Sequence, residues 1–320
     1  MALAKVGEIN DRNERAAEDL SRRLVGDMAG EPDGGEFNLL VRAASHPDGD
    51  LREAAVTSLC LNYEHDPKVL KLVEERSRSD ASEYVRAAAL AALSQVRPRS
   101  ERLREISLER LSVDVELTVR QVALDILVHS WPREETTYRA VVDRIENDSN
   151  GEMREEALQA LYSGWPNDHF MRELIGSCAV ADPDWTVRYA ALDALREGWG
   201  SDVFTRDLLI DRAVNDPDLN VRRLSIEALS GDWREDLTSR GVVVSRAVNE
   251  EDWTVRREAL HAALAGRSAE GRREHRKRRE FALDRCANDP HDAARKIARE
   301  FVETYFPGMR RLLPVEQEGK

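Results

Sequence analysis

Apolar residues in this chain recur at the three- and four-residue spacing of amphipathic helices, and short polar turns interrupt the pattern. A representative stretch runs from Phe170 to Ala181, pauses at Asp182-Pro183-Asp184, and resumes at Trp185 as WTVRYAALDAL. The spacing in both halves is that of helix, not strand. Proline in the turn ends the first helix, because its ring cannot continue the backbone hydrogen-bond ladder. The pattern predicts an all-α chain built from helix pairs.

The pairs repeat. A hydrophobic residue followed by arginine recurs at Leu51-Arg52, Val85-Arg86, Val119-Arg120, Met153-Arg154, Val187-Arg188, Val221-Arg222 and Val255-Arg256, each step being 34 residues. An eighth copy, Ala294-Arg295, follows after 39. Seven residues after each arginine stand Leu59, Leu93, Leu127, Leu161, Leu195 and Leu229, then Ala263 and Val302. Eleven residues after it stand Tyr63, Arg97, Trp131, Trp165, Trp199 and Trp233, then Arg267 and Phe306. Several columns sharing one period define an α-α superhelix of about eight helix pairs.

Helix starts are marked as well. Four residues before each arginine stand Asp48, Ser82, Glu116, Asn150, Asp184, Asp218, Asp252 and His291. All but Glu116 and His291 are good N-caps, whose side chains satisfy free amide groups. Asp66, Ser100, Glu134, Asp168, Asp202 and Asp236 hold the matching place before the first helices, with Glu134 the weak member.

The period also fits tetratricopeptide repeats, but their tryptophan falls early in the first helix and their proline after the second. Here tryptophan ends the second helix, and proline sits mainly in the turn within the unit. The phrase Asp-Pro-Asp-x-x-Val-Arg-x-x-Ala-x-x-Ala-Leu, clearest at Asp182–Leu195 and Asp216–Leu229, resembles HEAT repeats over roughly residues 35–307. Gly-Trp-x-x-Asp followed by Asn-Asp-Pro-Asp is similar, more narrowly, to HEAT arrays attached to bacterial NACHT-type signalling ATPases. The chain has no P-loop motif, so that resemblance implies a sensor portion or a stand-alone relative.

Three segments are expected. Residues 1–34 form an N-terminal cap and link, with one amphipathic helix over residues 12–27. Residues 35–307 form the solenoid. Residues 308–320 form a C-terminal cap and tail, with Met309–Leu313 closing the array and Glu316–Lys320 disordered.

Composition narrows the function classes. The net charge of -13 sets the surface against a nucleic-acid backbone. The three cysteines, Cys60, Cys178 and Cys286, are far apart in sequence, and no Cys/His cluster has metal-ligand spacing. That usage points to a reducing, cytoplasmic setting. No run is apolar and long enough to span a bilayer, so no membrane partner is expected.

Candidate chemistry follows from the columns. Asp80, Asp114, Asp148, Asp182, Asp216 and Asp289 each precede their arginine by six residues. An arginine that meets the acid of a neighbouring unit builds a structural ladder of Arg52, Arg86, Arg120, Arg154, Arg188, Arg222 and Arg256. The resemblance to HEAT proteins implies the same, whereas a catalytic site would occur once. The six tryptophans recur in two columns, which favours packing over base stacking. The seven histidines form no ligand pair, and the His-Glu pairs of HEAT-type deoxyhypusine hydroxylases are absent. No catalytic residue, cofactor or metal is expected.

Two features remain for recognition. Gly266–Glu280 is a basic stretch, GRSAEGRREHRKRRE, at the break in the period, and reads as an inserted loop or a lengthened first helix. Its candidates are Arg272, Arg273, Arg276 and Arg278. The other feature is a pair of variable columns. One residue after the ladder arginine come Glu53, Ala87, Gln121, Glu155, Tyr189, Arg223 and Arg257. Five residues after it come Thr57, Ala91, Asp125, Gln159, Asp193, Glu227 and His261. These positions read as freed from scaffold duty, and the resemblance places second helices on a concave face. The reading is a non-catalytic protein-binding scaffold or sensor, with its partner protein late in the array near Tyr189, Arg223, Arg257 and His261. Alternatives are a nucleic-acid-binding protein similar to HEAT-like DNA glycosylases, using residues 267–279, and a phycobilin-lyase-like enzyme or chaperone.

Overall fold

A computed structural model describes residues 7, 9, 35–165, 169–265 and 272–314; the side chains of His169, Arg272 and Glu274 are outside that description. The expected helix at residues 12–27, nearly all of the link that follows it, the cap Asp168 and the tail at 316–320 also lie outside the described residues. Among the described residues the chain is all-helical, with sixteen α-helices and no strand. The fold class is the expected α-solenoid of paired helices.

A short helix α1 (Glu36–Ala43) leads into α2 (Gly49–Asn62). First and second helices then alternate: α3 (Pro67–Ser79) with α4 (Glu83–Val96), α5 (Glu101–Val113) with α6 (Leu117–Ser130), and α7 (Glu135–Asn147) with α8 (Gly151–Gly164). The series continues through α9 (His169–Ala181) with α10 (Trp185–Trp199), α11 (Val203–Asn215) with α12 (Leu219–Gly231), and α13 (Leu237–Asn249) with α14 (Trp253–Leu264). It ends with α15 (Arg272–Asn288), α16 (Asp292–Tyr305) and a 3-10 turn over Pro307–Leu312, which overlaps the expected closing segment.

The helices form two compact units, Met1–Met171 and Arg172–Lys320. In the first, α2, α4, α6 and α8 stack side by side, as do α3, α5 and α7, and each first helix packs on its own second helix. The second unit repeats the scheme, with α10, α12, α14 and α16 adjacent in turn and α11 beside α13. The recurring columns are the core. Leu59, Leu93, Leu127 and Leu161 are buried in the first unit, and Leu195 and Leu229 in the second. Burying such a side chain stabilises by roughly 1.5–3 kcal/mol, and the repeat makes that gain once per unit.

The caps sharpen the reading of the turns. Asp48, Asn150, Asp184, Asp218 and Asp252 accept backbone N–H bonds at the starts of their helices. Asp66, Ser100, Asp202 and Asp236 do the same for first helices. Ser82, expected as a cap, makes no such side-chain bond. Its own N–H instead donates to Asp80 at 2.9 Å. Glu134 does not cap either, and its carboxylate takes Arg104 at 2.7 Å.

The break in the period is a lengthened first helix. From Arg272 onward α15 has 17 residues, where α3, α5, α7, α11 and α13 each have 13.

Candidate interaction surface

Arginines and acids of successive repeats pair, and each rung spans two repeats. Arg52 meets Asp80 at 2.7 Å, Arg86 meets Asp114 at 2.7 Å and Arg120 meets Asp148 at 3.0 Å. In the second unit Arg188 meets Asp216 at 2.8 Å. Each of these acids lies 28 residues after its arginine. The same guanidiniums turn back to their own turns. Arg86 Nη1 donates to the Asp80 carbonyl at 2.8 Å, Arg120 to that of Asp114 at 2.9 Å, and Arg188 to that of Asp182 at 2.9 Å. One side chain therefore closes its own turn and reaches the next repeat's.

The structure adds two parts that the columns of aspartate did not reveal. Glu250 replaces the acid in one rung and meets Arg222 at 2.9 Å. A second arginine column also grips the acids from their own first helices. Arg76, Arg110, Arg144, Arg212, Arg246 and Arg285 lie 3.3–3.7 Å from Asp80, Asp114, Asp148, Asp216, Glu250 and Asp289. This column keeps the 34-residue step from Arg76 to Arg246 except where Cys178 stands, and Arg285 follows after 39, so it was present in the sequence as a signal. Each acid also accepts the N–H two residues on, as Asp216 does from Asp218 at 2.9 Å.

These contacts set the charge state of the acids. Burial alone would raise the Asp114 carboxyl, but the Arg86 hydrogen bond, the Glu116 N–H and the charges of Arg86 and Arg110 outweigh it and hold the group below the usual range. Asp80 is lowered in the same way, with burial opposed by Arg52, the Ser82 N–H and Arg76. Asp114 and Asp216 are side-chain buried and doubly paired, so they have no open face toward a substrate.

The thiols are equally withdrawn. Cys60, Cys178 and Cys286 are buried thiols outside any disulfide. Burial pushes the Cys60 thiol up to about 12 and that of Cys286 up to about 11, which keeps both protonated at neutral pH and unreactive.

The variable columns change along the array. In the second unit Tyr189 and Asp193 lie half-buried on α10, Arg223 and Glu227 are exposed on α12, and Arg257 and His261 are exposed on α14. Each pair is four residues apart and so shares a helix face. Because α10, α12 and α14 are adjacent in turn, the three pairs line one surface. Arg257 lies 3.3 Å from Glu258 and stays about half exposed. In the first unit Glu155 and Gln159 on α8 are half-buried as well, whereas the same positions on α2, α4 and α6 are not free. Glu53, Thr57, Ala87, Ala91, Gln121 and Asp125 are all buried, contrary to the expectation of unconstrained surface. The helices there carry small or apolar residues all round, such as Ala87, Ala88, Ala89, Leu90, Ala91 and Ala92 on α4, and a helix of that kind is buried on every side. The polar residues among them are bonded: Gln121 donates to Glu152 at 3.1 Å and Glu156 at 2.8 Å, and Thr57 to the Glu53 carbonyl at 3.0 Å.

The basic stretch is less uniform than its sequence. Arg273 and Arg276 are exposed, and Arg276 pairs with Glu280 at 2.8 Å. Arg278 is half-buried, with its guanidinium 5.6 Å from the Phe301 ring centre. Arg272 lies on α15.

The tryptophans mostly pack. Trp131 is buried, Trp165 meets Tyr138 edge-on at 5.5 Å, and Trp253 stacks on His291 at 4.7 Å. Trp185 departs from this, being 40% exposed beside Tyr189. It belongs to an apolar edge that the sequence reading passed over. Val180, Val214 and Val248 are exposed at one repeat position, and so are Trp185 and Leu219 at another. The equivalent residues in the first unit are Arg78, Ser112 and Glu146, then Glu83, Leu117 and Gly151. Repetition of exposed apolar residues was the available signal.

Among the described residues no cluster of metal-ligating side chains occurs, and no helix is long and apolar enough to cross a membrane.

A family model described as HEAT repeats matches residues 138–230 and 172–263. No curated protein matches the chain. Among solved structures the chain is similar to the YibA protein of E. coli, at 18% identity over 72% of this chain and 81% of that one, with a TM-score of 0.45. It is also similar to the complex of CpcE and CpcF of phycocyanin lyase from Nostoc sp. PCC7120, at 16% identity over 79% of this chain and 96% of that one, with a TM-score of 0.34.

Proposed function

We propose that this HEAT-type solenoid is a non-catalytic protein-binding scaffold whose recognition surface is the second-helix face of Arg172–Lys320. The observation that carries the reading is the exposure of Arg223, Glu227, Arg257 and His261 at repeat positions that are buried on α2, α4 and α6. The residues resembling catalytic acids, by contrast, are paired twice within the scaffold. Arg223 and Arg257 favour an acidic patch on the partner, and the exposed edge of Val214, Trp185 and Leu219 supplies apolar area beside it. The resemblance of the Gly-Trp-x-x-Asp phrase to NACHT-associated arrays supports a sensor role within a cytoplasmic signalling assembly.

The test is affinity capture with the intact chain and with Tyr189→Ala, Arg223→Glu, Arg257→Glu and His261→Ala combined. The variant is expected to melt as the parent does and to lose at least one protein captured reproducibly by the parent. Identical captured sets would overturn the reading. Nucleic-acid binding by residues 272–279 is less favoured, because Arg276 pairs with Glu280 and Arg278 is held against Phe301.

A further inference from the structure

The position one residue after the ladder arginine carries a cation in three successive repeats. Arg223 on α12 and Arg257 on α14 are followed by Lys296 on α16. The longer step that precedes Arg295 leaves Lys296 in register. Arg295 Nη1 donates to the carbonyl of Asp289, as Arg256 Nη1 does to that of Glu250, each acid lying six residues before its arginine. All three cations are exposed. Helix α14 packs against both α12 and α16, so the three stand in a row across adjacent helices. Helices packed side by side have axes about 8–10 Å apart, and the cations succeed one another at about that interval.

A second row runs beside the first. Four residues further along the same helices stand Glu227, His261 and Glu300, all exposed and about 6 Å away along each helix axis. Arg223 with Glu227, and Lys296 with Glu300, have the spacing at which opposite charges can pair within a helix. Neither pair closes, and among the described residues none of these four side chains has an ion-pair partner. Arg257 lies 3.3 Å from Glu258 with 47% of its side chain exposed. The face therefore offers a cationic row and an acidic row in parallel. A nucleic-acid backbone matches only the first and is repelled by the second. A protein segment can match both. Acids seven residues apart on an α-helix fall on one side at intervals of about 10 Å, close to the interval of the cations. An extended strand returns to the same face at about 7 Å, and its acids fall out of step.

We propose that the partner presents to this face an α-helix with acidic side chains at seven-residue intervals along one side and basic side chains beside them, laid across α12, α14 and α16. Its acids meet Arg223, Arg257 and Lys296, and its bases meet Glu227 and Glu300. This rests on the assignment of the second-helix face to a partner protein, and it names the kind of segment bound there and adds Lys296 to the contact. Exposed ion pairs are worth little singly and are screened by salt. Selectivity therefore comes from the match of intervals and not from any one pair.

Two synthetic alanine-rich helices of equal composition test the proposal, by NMR titration of the intact, isotope-labelled chain at low salt. One carries Glu every seven residues with Lys three residues after each. The other carries its Glu every five residues, which spreads them around the helix. The first is expected to shift signals of Arg223, Arg257 and Lys296 at a midpoint at least fivefold lower than the second. Arg257→Glu/Lys296→Glu should weaken the first peptide at least fivefold, whereas Arg273→Glu, at an exposed cation of α15 outside the row, should leave it unchanged. If the double variant fails to fold, the two peptides decide. Absence of binding, equal midpoints for the two peptides, unchanged affinity in a folded double variant, or tighter binding of a single-stranded oligonucleotide would each overturn the proposal. Affinity capture with the four-substitution variant tests the face itself, so failure of the peptides alone removes the kind of partner and not the face.

Discussion

Helices α4 and α14 occupy the same place in the repeat, yet Ala91 on α4 is buried and His261 on α14 is exposed. Both helices carry the ladder arginine, Arg86 and Arg256, and both bury the valine before it. What differs is the set of residues between the fixed columns. In α2, α4 and α6 that set is small or apolar with a few bonded polar groups; in α12 and α14 it is charged. A repeat register therefore fixes how units stack, and the residues it leaves unspecified decide whether a helix is core on all sides or presents a surface.

The sharpest way to break this comparison is to place a charge at the same register in both units. Ala91→Asp should destabilise by on the order of 4 kcal/mol, since it buries a carboxylate at a fully buried position. His261→Asp should stay within about 0.5 kcal/mol of the parent. Denaturant midpoints for the two variants check this, and equal losses would erase the distinction between the units.

The ladder, common to both units, gives the next largest effect. Asp114→Asn should cost about 3 kcal/mol, because Arg86 and Arg110 would lose their counter-charge in a buried setting. The corresponding Asp216→Asn change should cost a similar amount, so the ladder is predicted not to distinguish the units.

Acid should act through the same groups. The Asp80 and Asp114 carboxyls are held below the unfolded value of about 3.9. The stability they contribute is therefore complete above that value and lost as pH falls through the lower, folded one. The difference between parent and Asp114→Asn midpoints should accordingly be larger at pH 7 than at pH 3, and an unchanged difference would refute the assignment.

The smallest effect concerns the caps. Asp218→Ala, which removes acceptors for the Asn220 and Val221 N–H groups, should cost about 1 kcal/mol. Ser82→Ala should cost almost nothing, since that side chain caps nothing. Thermal melts of the pair would show which acids and hydroxyls at helix starts are needed.

Much of this was legible from periodicity alone. The helix pairs, the leucine column and the arginine partners of Asp80, Asp114 and Asp216 follow from residues that repeat, and repetition in sequence becomes adjacency in a stack. Glu250 was harder, since it does the work of an aspartate with a longer side chain. Arg76, Arg110 and Arg144 were overlooked because first helices were read for their apolar spacing. The buried state of Gln121 and Asp125 was obscured by their polarity, although the apolar residues around them on α6 pointed inward on every side. The cavity of about 470 Å³ beside Gly241 depends on four helices, α12 to α15, meeting, and no single column carries that information.

The last rung of the ladder has a consequence for how such arrays can grow. Arg256 finds Asp289 33 residues away instead of 28, at 3.8 Å and without the hydrogen bonds of the other rungs. Five residues have thus been added ahead of α15's acid while the guanidinium and carboxylate still face each other. The approach to a first helix is a splice point, where length can be gained at the expense of one hydrogen-bonded contact and without loss of phase in the units on either side.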